Sequence, residues 1–289
     1  MKLAPLKAMH WPYYKQLMRI DKPIGTLLLL WPTFWALWLA GADWPPVSLA
    51  VIFALGVLVM RSAGCVINDF ADRNVDGAVQ RTQQRPLAAG TVSAGEALSL
   101  FALLVVMAFA LVLLLNWQTI LLSFGALALA ACYPFMKRYT HLPQVVLGAA
   151  FSWAIPMAYM ATIEALPIYA WLLFFANVVW TVAYDTLYAM VDRDDDVKIG
   201  IKSTAILFGR YDLLAVALLD ATFIALLAYI GLDMQLFWPF WLGLSIATML
   251  LVRQLYLCRH RERAECFNAF LNNHYVGLAI FIGIAVSLL

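Results

Sequence analysis

Acidic residues are scarce in this 289-residue chain, 17 in all, yet eight of them fall in two short segments. The first reads Asn68-Asp69-Phe70-Ala71-Asp72-Arg73-Asn74-Val75-Asp76. The second reads Asp185-Thr186-Leu187-Tyr188-Ala189-Met190-Val191-Asp192-Arg193-Asp194-Asp195-Asp196. Side chains three, four, seven or eleven positions apart share a helix face. Helical spacing therefore groups Asp69, Asp72 and Asp76, with Asn68 at the edge. It likewise groups Asp185, Asp192 and Asp196, and directs Asp194 and Asp195 elsewhere. Clustered carboxylates repel, and placing them beside lipid is costly unless something positive joins them. Hard oxygen ligands suit Mg²⁺, which keeps waters and bridges one or two carboxylates to substrate phosphates. Two facing acidic stripes could thus hold one diphosphate through bridging ions. A solvated acid patch paired with neighbouring arginines is the plainer alternative, and the repeated spacing at two apolar-run ends argues against it.

Cations suited to phosphate accompany these segments: Arg61, Arg81, Arg85, Lys137, Arg138, Lys198 and Lys202. Most read as ordinary anchors at a membrane surface. Arg61 differs because it sits inside an apolar run about two turns before Asp69, and an intramembrane charge is by default a functional residue. Asp220 also falls within an apolar run and has no evident partner in the sequence.

The elements that carry these residues follow from composition. Apolar residues make up 64 % of the chain and charged residues 12 %, about half the charged share of soluble domains. Lipid must therefore be the solvent. A bilayer core about 30 Å thick needs roughly 20 apolar helical residues, and that ruler finds nine spans. They are Ile24–Ala42, Val47–Ile67, Ala97–Leu115, Trp117–Met136, Val145–Ala161, Pro167–Met190, Leu213–Leu232, Leu236–Val252 and Phe267–Leu289. The expected fold is all-α and integral to the membrane, one polytopic domain over residues 1–289. No cleavage site of the secretory kind precedes Ile24, so the first run reads as a retained span.

The connections alternate in charge. Asp43–Pro46, Asn116, Thr162–Leu166 and Asp233–Gln235 hold no Lys or Arg, and all 19 basic residues fall on the opposite side of the nine-span arrangement. The positive-inside rule makes that side cytoplasmic, with the N-terminus inside and the C-terminus periplasmic. The site is then expected on the cytoplasmic face of a bacterial inner membrane. Four cysteines lack C-x-x-C spacing and read as small apolar residues, with Cys65 and Cys132 in or beside apolar runs. The Trp and Phe residues are expected to face lipid or the interface for the most part, with some lining a cavity.

These residues resemble the UbiA-type intramembrane prenyltransferases. The family pattern N-D-x-x-D-x-x-x-D stands at Asn68 to Asp76, and Y-D-x-x-Y-A-x-x-D-x-x-x-D at Tyr184 to Asp196. Asp21-Lys22-Pro23-Ile24-Gly25, Arg81-Thr82-Gln83-Gln84-Arg85-Pro86-Leu87 and Tyr133-Pro134-Phe135-Met136-Lys137-Arg138 look like the branch acting on 4-hydroxybenzoate in ubiquinone synthesis. The resemblance covers about Arg19 to the C-terminus. It implies nine helices around a central cavity, magnesium dependence and a trans-polyprenyl diphosphate donor. It also implies that Asn68, Asp72, Asp76, Asp192 and Asp196 form the metal and diphosphate set. Arg61, Tyr133 and Lys137 resemble positions that contact diphosphate or the reacting groups. Asp69 and Asp185 belong to the motifs, Asp69 as a further metal ligand and Asp185 on the substrate side with Lys202.

The chemistry expected is transfer of the polyprenyl group to the ring carbon ortho to the acceptor's hydroxyl, with release of diphosphate. Asp72, Asp76, Asp192 and Asp196 would carry it, Asp192 polarising the phenol, and Arg138 is expected to read the acceptor's carboxylate as a bidentate fork. Substrates and membrane lipid are the expected partners, and nucleic acid is not. Other readings are another aromatic acceptor, a cation-coupled transporter and a phospholipid-type phosphotransferase. Transporter acids sit near the midplane on broken helices, whereas these sit at span ends, and the phosphotransferase signature D-G-x-x-A-R is absent.

Overall fold

A computed structural model describes residues 3–78 and 82–289. Lys2 and Arg81 lie outside the described residues. All regular structure among the described residues is helical. A short surface helix, α1 (Trp11–Leu17), precedes α2 (Ile24–Gly41), α3 (Val47–Asp72), α4 (Ala94–Val112) and α5 (Trp117–Met136). There follow α6 (Pro143–Ser152), α7 (Ala154–Ile163), α8 (Ile168–Ile199), α9 (Thr204–Phe208), α10 (Asp212–Asp233), α11 (Trp238–Leu257) and α12 (Arg263–Ser287). Among the described residues nine stretches are long and apolar enough to cross a membrane, one for each span expected from the sequence.

The differences from expectation have local causes. The fifth span is two helices, α6 and α7, broken at Trp153. Pro156 has no N–H to offer the Ser152 carbonyl one turn earlier, and its ring crowds that turn. Two helices run well past their apolar stretches. α3 continues to Asp72, and α8 has 32 residues, a length of about 48 Å against a core of about 30 Å. Hydropathy marks only where lipid ends, so the apolar spans stop at Ile67 and Met190 while the helices that carry the acidic residues run on. α8 stops at Gly200, whose φ of 72° is the left-handed conformation that glycine adopts without strain.

Trp180 stacks on Phe223 with centroids 5.2 Å apart and meets Trp35 at 5.5 Å with the rings tilted by 32°, all three fully buried. The Trp180 indole N–H donates to Asn273 Oδ1 at 2.9 Å, and the Asn273 amide donates to Gln254 Oε1 at 2.9 Å, so the indole and the Asn273 amide are paired where water is excluded. Trp11, Trp44, Trp117 and Trp238 are exposed as expected, but the remaining tryptophans are buried or half-buried in the bundle, more than composition suggested. Cys65, Cys258 and Cys266 are buried, while Cys132 is exposed on α5, and all four are free thiols. Glycines bring α11 and α12 together: a Cβ on Gly243 would lie 2.5 Å from the Ala279 carbonyl oxygen. Asp220 is buried on α10.

At the basic end of the bundle, buried Asp212 accepts from Arg193 of α8 and, at 2.8 to 3.1 Å, from Arg261 before α12. This fastens the motif-bearing end of α8 to α10. On the other flank, Glu96 completes a capping box with Ser93 and accepts from the Tyr14 hydroxyl at 2.7 Å. Burial pushes the Tyr14 hydroxyl above its ordinary pKa. That contact holds α1 against α4, and the chain then turns at Arg19 (φ 56°) toward the end of α3.

Candidate active site

The first acidic segment is built by the end of α3. Asn68, Asp69 and Asp72 lie on its final turns, and the helix ends at Asp72. Asp76 sits in a separate 3₁₀ turn, Asp76–Ala78, so the expected single stripe through Asp76 is interrupted. Arg85 repairs the interruption, its guanidinium reaching Asp69 at 3.0 Å and Asp76 at 3.1 Å. Burial pushes the Asp76 carboxyl above its ordinary pKa, with Arg85 pulling it back. The second segment lies wholly within α8, so Asp185, Asp192 and Asp196 keep the shared face that their spacing requires.

The two segments meet. Asn68, Asp72 and Asp76 from the first, and Asp185, Asp192 and Asp196 from the second, line one small chamber of about 150 Å³ with Lys137, Lys202 and Tyr133. The chamber adjoins a cavity of about 1320 Å³, with which it shares Asn68, Arg85, Tyr133, Asp185, Tyr188 and Asp192. Asp69, 123 positions before Asp192 in sequence, lines with it this larger cavity. The deeper walls of that cavity are apolar, with Phe53, Phe109, Phe124, Phe151 and Phe270 among them. A charged rim over a long greasy cavity suits a ligand with an anionic head and a hydrocarbon tail.

The cations of the rim are largely engaged. Both Asp69 oxygens accept from Arg19, at 2.8 and 3.1 Å, in addition to the Arg85 contact. Asp69 is fully buried and anchors two guanidiniums, whereas the sequence reading made it a metal ligand. Arg19, just before the Asp21–Gly25 segment, is a site residue that the spacing of the acidic motifs does not reveal. Asp195 was expected to point away, but it lines the large cavity and pairs with Arg263 at 3.3 Å. Lys198 is exposed at the rim, 3.7 Å from Asp195. Lys202 donates to the Tyr139 carbonyl at 3.3 Å.

Asp72 is the residue most ready for a cation. It is 1 % exposed, one oxygen accepts from Lys137, and the other has no hydrogen-bond partner. A buried carboxylate oxygen without a donor is costly unless something positive reaches it. Among the described residues no three carboxylate, histidine or cysteine side chains converge to chelate an ion by themselves. The donor set is all oxygen, the kind that Mg²⁺ shares with water and phosphate. The residues present therefore fit a magnesium–diphosphate unit.

Arg61 and Arg138, both expected to meet substrate, are placed differently. Arg138 is exposed, lines neither cavity and donates to the Ala71 carbonyl, capping the end of α3. Its position after a span end could not distinguish a cap from a ligand. Arg61 lies deep in the large cavity, donates to Cys65 Sγ at 2.8 Å and sits over the Phe151 ring at 5.9 Å. Its Nε is buried without a partner, and no carboxylate among the described residues pairs with it.

An all-helical bundle with two aspartate-rich helix ends closing a lipid-shaped cavity defines a class. The chain belongs to the UbiA prenyltransferase family, whose model matches residues 29–280. At finer grain, it is 68 % identical over 287 residues to the 4-hydroxybenzoate octaprenyltransferase of Pseudoalteromonas translucida (strain TAC 125), covering 99 % of this chain and 98 % of the relative. Among solved structures, the apo structure of a UbiA homolog from Aeropyrum pernix K1 superposes with a TM-score of 0.81 at 28 % identity, covering 91 % of this chain and 98 % of that one. A UbiA homolog from Archaeoglobus fulgidus bound to GPP and Mg²⁺ shares the fold, with a TM-score of 0.71 at 21 % identity over 96 % of this chain and 99 % of that one. The chain is a multi-pass membrane prenyltransferase.

Proposed function

We propose that this enzyme transfers a polyprenyl group from its all-trans diphosphate to the carbon ortho to the hydroxyl of 4-hydroxybenzoate, a membrane step of ubiquinone synthesis. The observation that carries the reading is the meeting of both acidic segments over a single apolar cavity, one chamber for a charged head and one for a tail. The name of the 68 %-identical relative supports the acceptor and an eight-unit donor.

Asn68, Asp72, Asp76, Asp192 and Asp196 would hold magnesium together with the diphosphate. When bound, the ion supplies charge stabilisation of the departing diphosphate. Lys137, Lys202 and Arg85 at the rim add fixed positive charge, needing no reorganisation as the C–O bond breaks. The apolar walls exclude water, which would otherwise capture the allylic cation. Arg61 meets the acceptor's carboxylate, a role the sequence reading gave to Arg138. Tyr133 and Tyr188 bound the space between that guanidinium and the rim, and Asp192 or Asp185 orients the phenol. The ring carbon attacks the allylic carbon, and the ring proton is then lost. An acceptor panel tests this assignment: 4-hydroxybenzoate should be prenylated and 4-hydroxybenzyl alcohol, which lacks the carboxylate, at least tenfold less efficiently. Equal turnover of the two would remove Arg61 from acceptor recognition.

The orientation is part of the proposal. Among the described residues, the connections at the end away from the acidic segments, 42–46, 113–116, 164–167 and 234–237, hold no Lys or Arg. We therefore place the acidic-segment end, the N-terminus and the active site on the cytoplasmic side of the bacterial inner membrane. Single cysteines at Asp43, Glu164 or Asp233 in a cysteine-free background should react with an impermeant maleimide outside intact spheroplasts. Cysteines at Arg85 or Lys202 should react only after lysis, and the reverse pattern would invert the enzyme.

A further inference from the structure

Gly25 opens α2 where the helix meets the large cavity, and both residues of that opening, Ile24 and Gly25, line it. A Cβ built on Gly25 would stand 2.5 Å from Arg61 Nη2, 2.8 Å from Nε and 3.1 Å from Cζ. Contact with three guanidinium atoms at once means that Arg61 rests across the Gly25 Cα. No other side chain could occupy position 25 without moving that guanidinium. The atoms displaced belong to the tip of a flexible side chain, so the fold would survive the substitution while Arg61 would not stay in place.

The surroundings need an anion. The N–H groups of Thr26 and Leu27 are bonded to the Pro23 carbonyl, but those of Ile24 and Gly25 have no partner among the described residues. The positive end of an 18-residue helix thus faces a guanidinium whose Nε is also unpartnered. Two positive groups in contact at membrane depth repel unless a negative group joins them.

We propose that Gly25 is a specificity-determining residue for the acceptor. By leaving no side chain at the start of α2, it holds Arg61 where the guanidinium and the free N–H groups of the first turn together receive a carboxylate. The inference rests on the reading that Arg61 meets the acceptor's carboxylate. The bland role for Gly25, mere close packing of α2 on α3, would affect folding and both substrates alike.

The test compares kcat/KM for 4-hydroxybenzoate and for its uncharged methyl ester in detergent-solubilised enzyme. In Gly25→Ala the preference for the acid over the ester should fall at least tenfold, while the KM for polyprenyl diphosphate stays within twofold. Because the preference is a ratio measured on one preparation, a partly inactive sample does not alter it. Gly41→Ala, at the far end of α2 and outside the cavity, is the control. If Gly25→Ala shows no activity, Arg61→Lys in the same chain, whose head stops short of the new Cβ, should restore transfer; no recovery would overturn the inference. An unchanged preference in Gly25→Ala with a collapsed one in Arg61→Ala would overturn the inference and leave Arg61's role standing. An unchanged preference in Arg61→Ala would remove the reading beneath it.

Discussion

Asp72→Asn and Asp192→Asn should each lower prenyl transfer by about a thousandfold or more, the scale of losing a preorganised charge at a reacting centre. The substitutions keep size and shape, so membrane insertion and thermal unfolding in detergent should change little. The case for Asp72 is the sharper. Its one unpartnered, buried oxygen faces the chamber that Asp192 and Asp196 also line, and its other oxygen holds Lys137 in place. Replacing the carboxylate by an amide removes the charge that a divalent ion requires, and it turns an NH₂ group toward the ion or toward Lys137. Asp192 lines both the chamber and the large cavity, so its loss affects the diphosphate and the phenol together. Transfer assays at saturating donor and Mg²⁺ check both. Activity near the parent level in either variant would separate the acidic rim from the chemistry.

Arg61→Ala should raise the KM for 4-hydroxybenzoate between tenfold and about a hundredfold, as loss of a charged hydrogen bond worth about 1.5–3 kcal/mol requires. The KM for the polyprenyl diphosphate should move less than twofold, because the rim cations remain. Arg138→Ala should leave both constants unchanged, since its guanidinium caps a carbonyl of α3. A rise confined to the donor KM in Arg61→Ala would move that residue to the leaving group.

The nine spans and the alternation of charge were legible because lipid imposes one strong rule, about 20 apolar residues per crossing. Helical spacing likewise foretold the shared face of Asp185, Asp192 and Asp196, since α8 continues through all three. It failed at Asp76, because spacing assumes an unbroken helix and α3 stops four residues earlier. The partners of Asp69 were not legible. Arg19 is 50 positions distant, and only the folding of the N-terminal segment over α3 brings it within 2.8 Å. The different placement of Arg61 and Arg138 was not legible for the same reason. Sequence shows that a cation lies near a span end, but not whether its guanidinium meets a cavity or a neighbouring carbonyl. The signal available for Arg61 was its depth in an apolar run, and the structure adds that no carboxylate among the described residues pairs with it.

Prenyl transfer to 4-hydroxybenzoate can be read from one incubation. Purified enzyme in detergent is supplied with ring-labelled 4-hydroxybenzoate, all-trans-octaprenyl diphosphate and Mg²⁺, and the organic extract is resolved by chromatography and mass spectrometry. The expected products are a labelled lipid carrying the octaprenyl group on the carbon ortho to the hydroxyl and diphosphate in equal amount, with no product when EDTA replaces Mg²⁺. Donor hydrolysis without labelled lipid, or transfer that proceeds undiminished in EDTA, would contradict the proposed function.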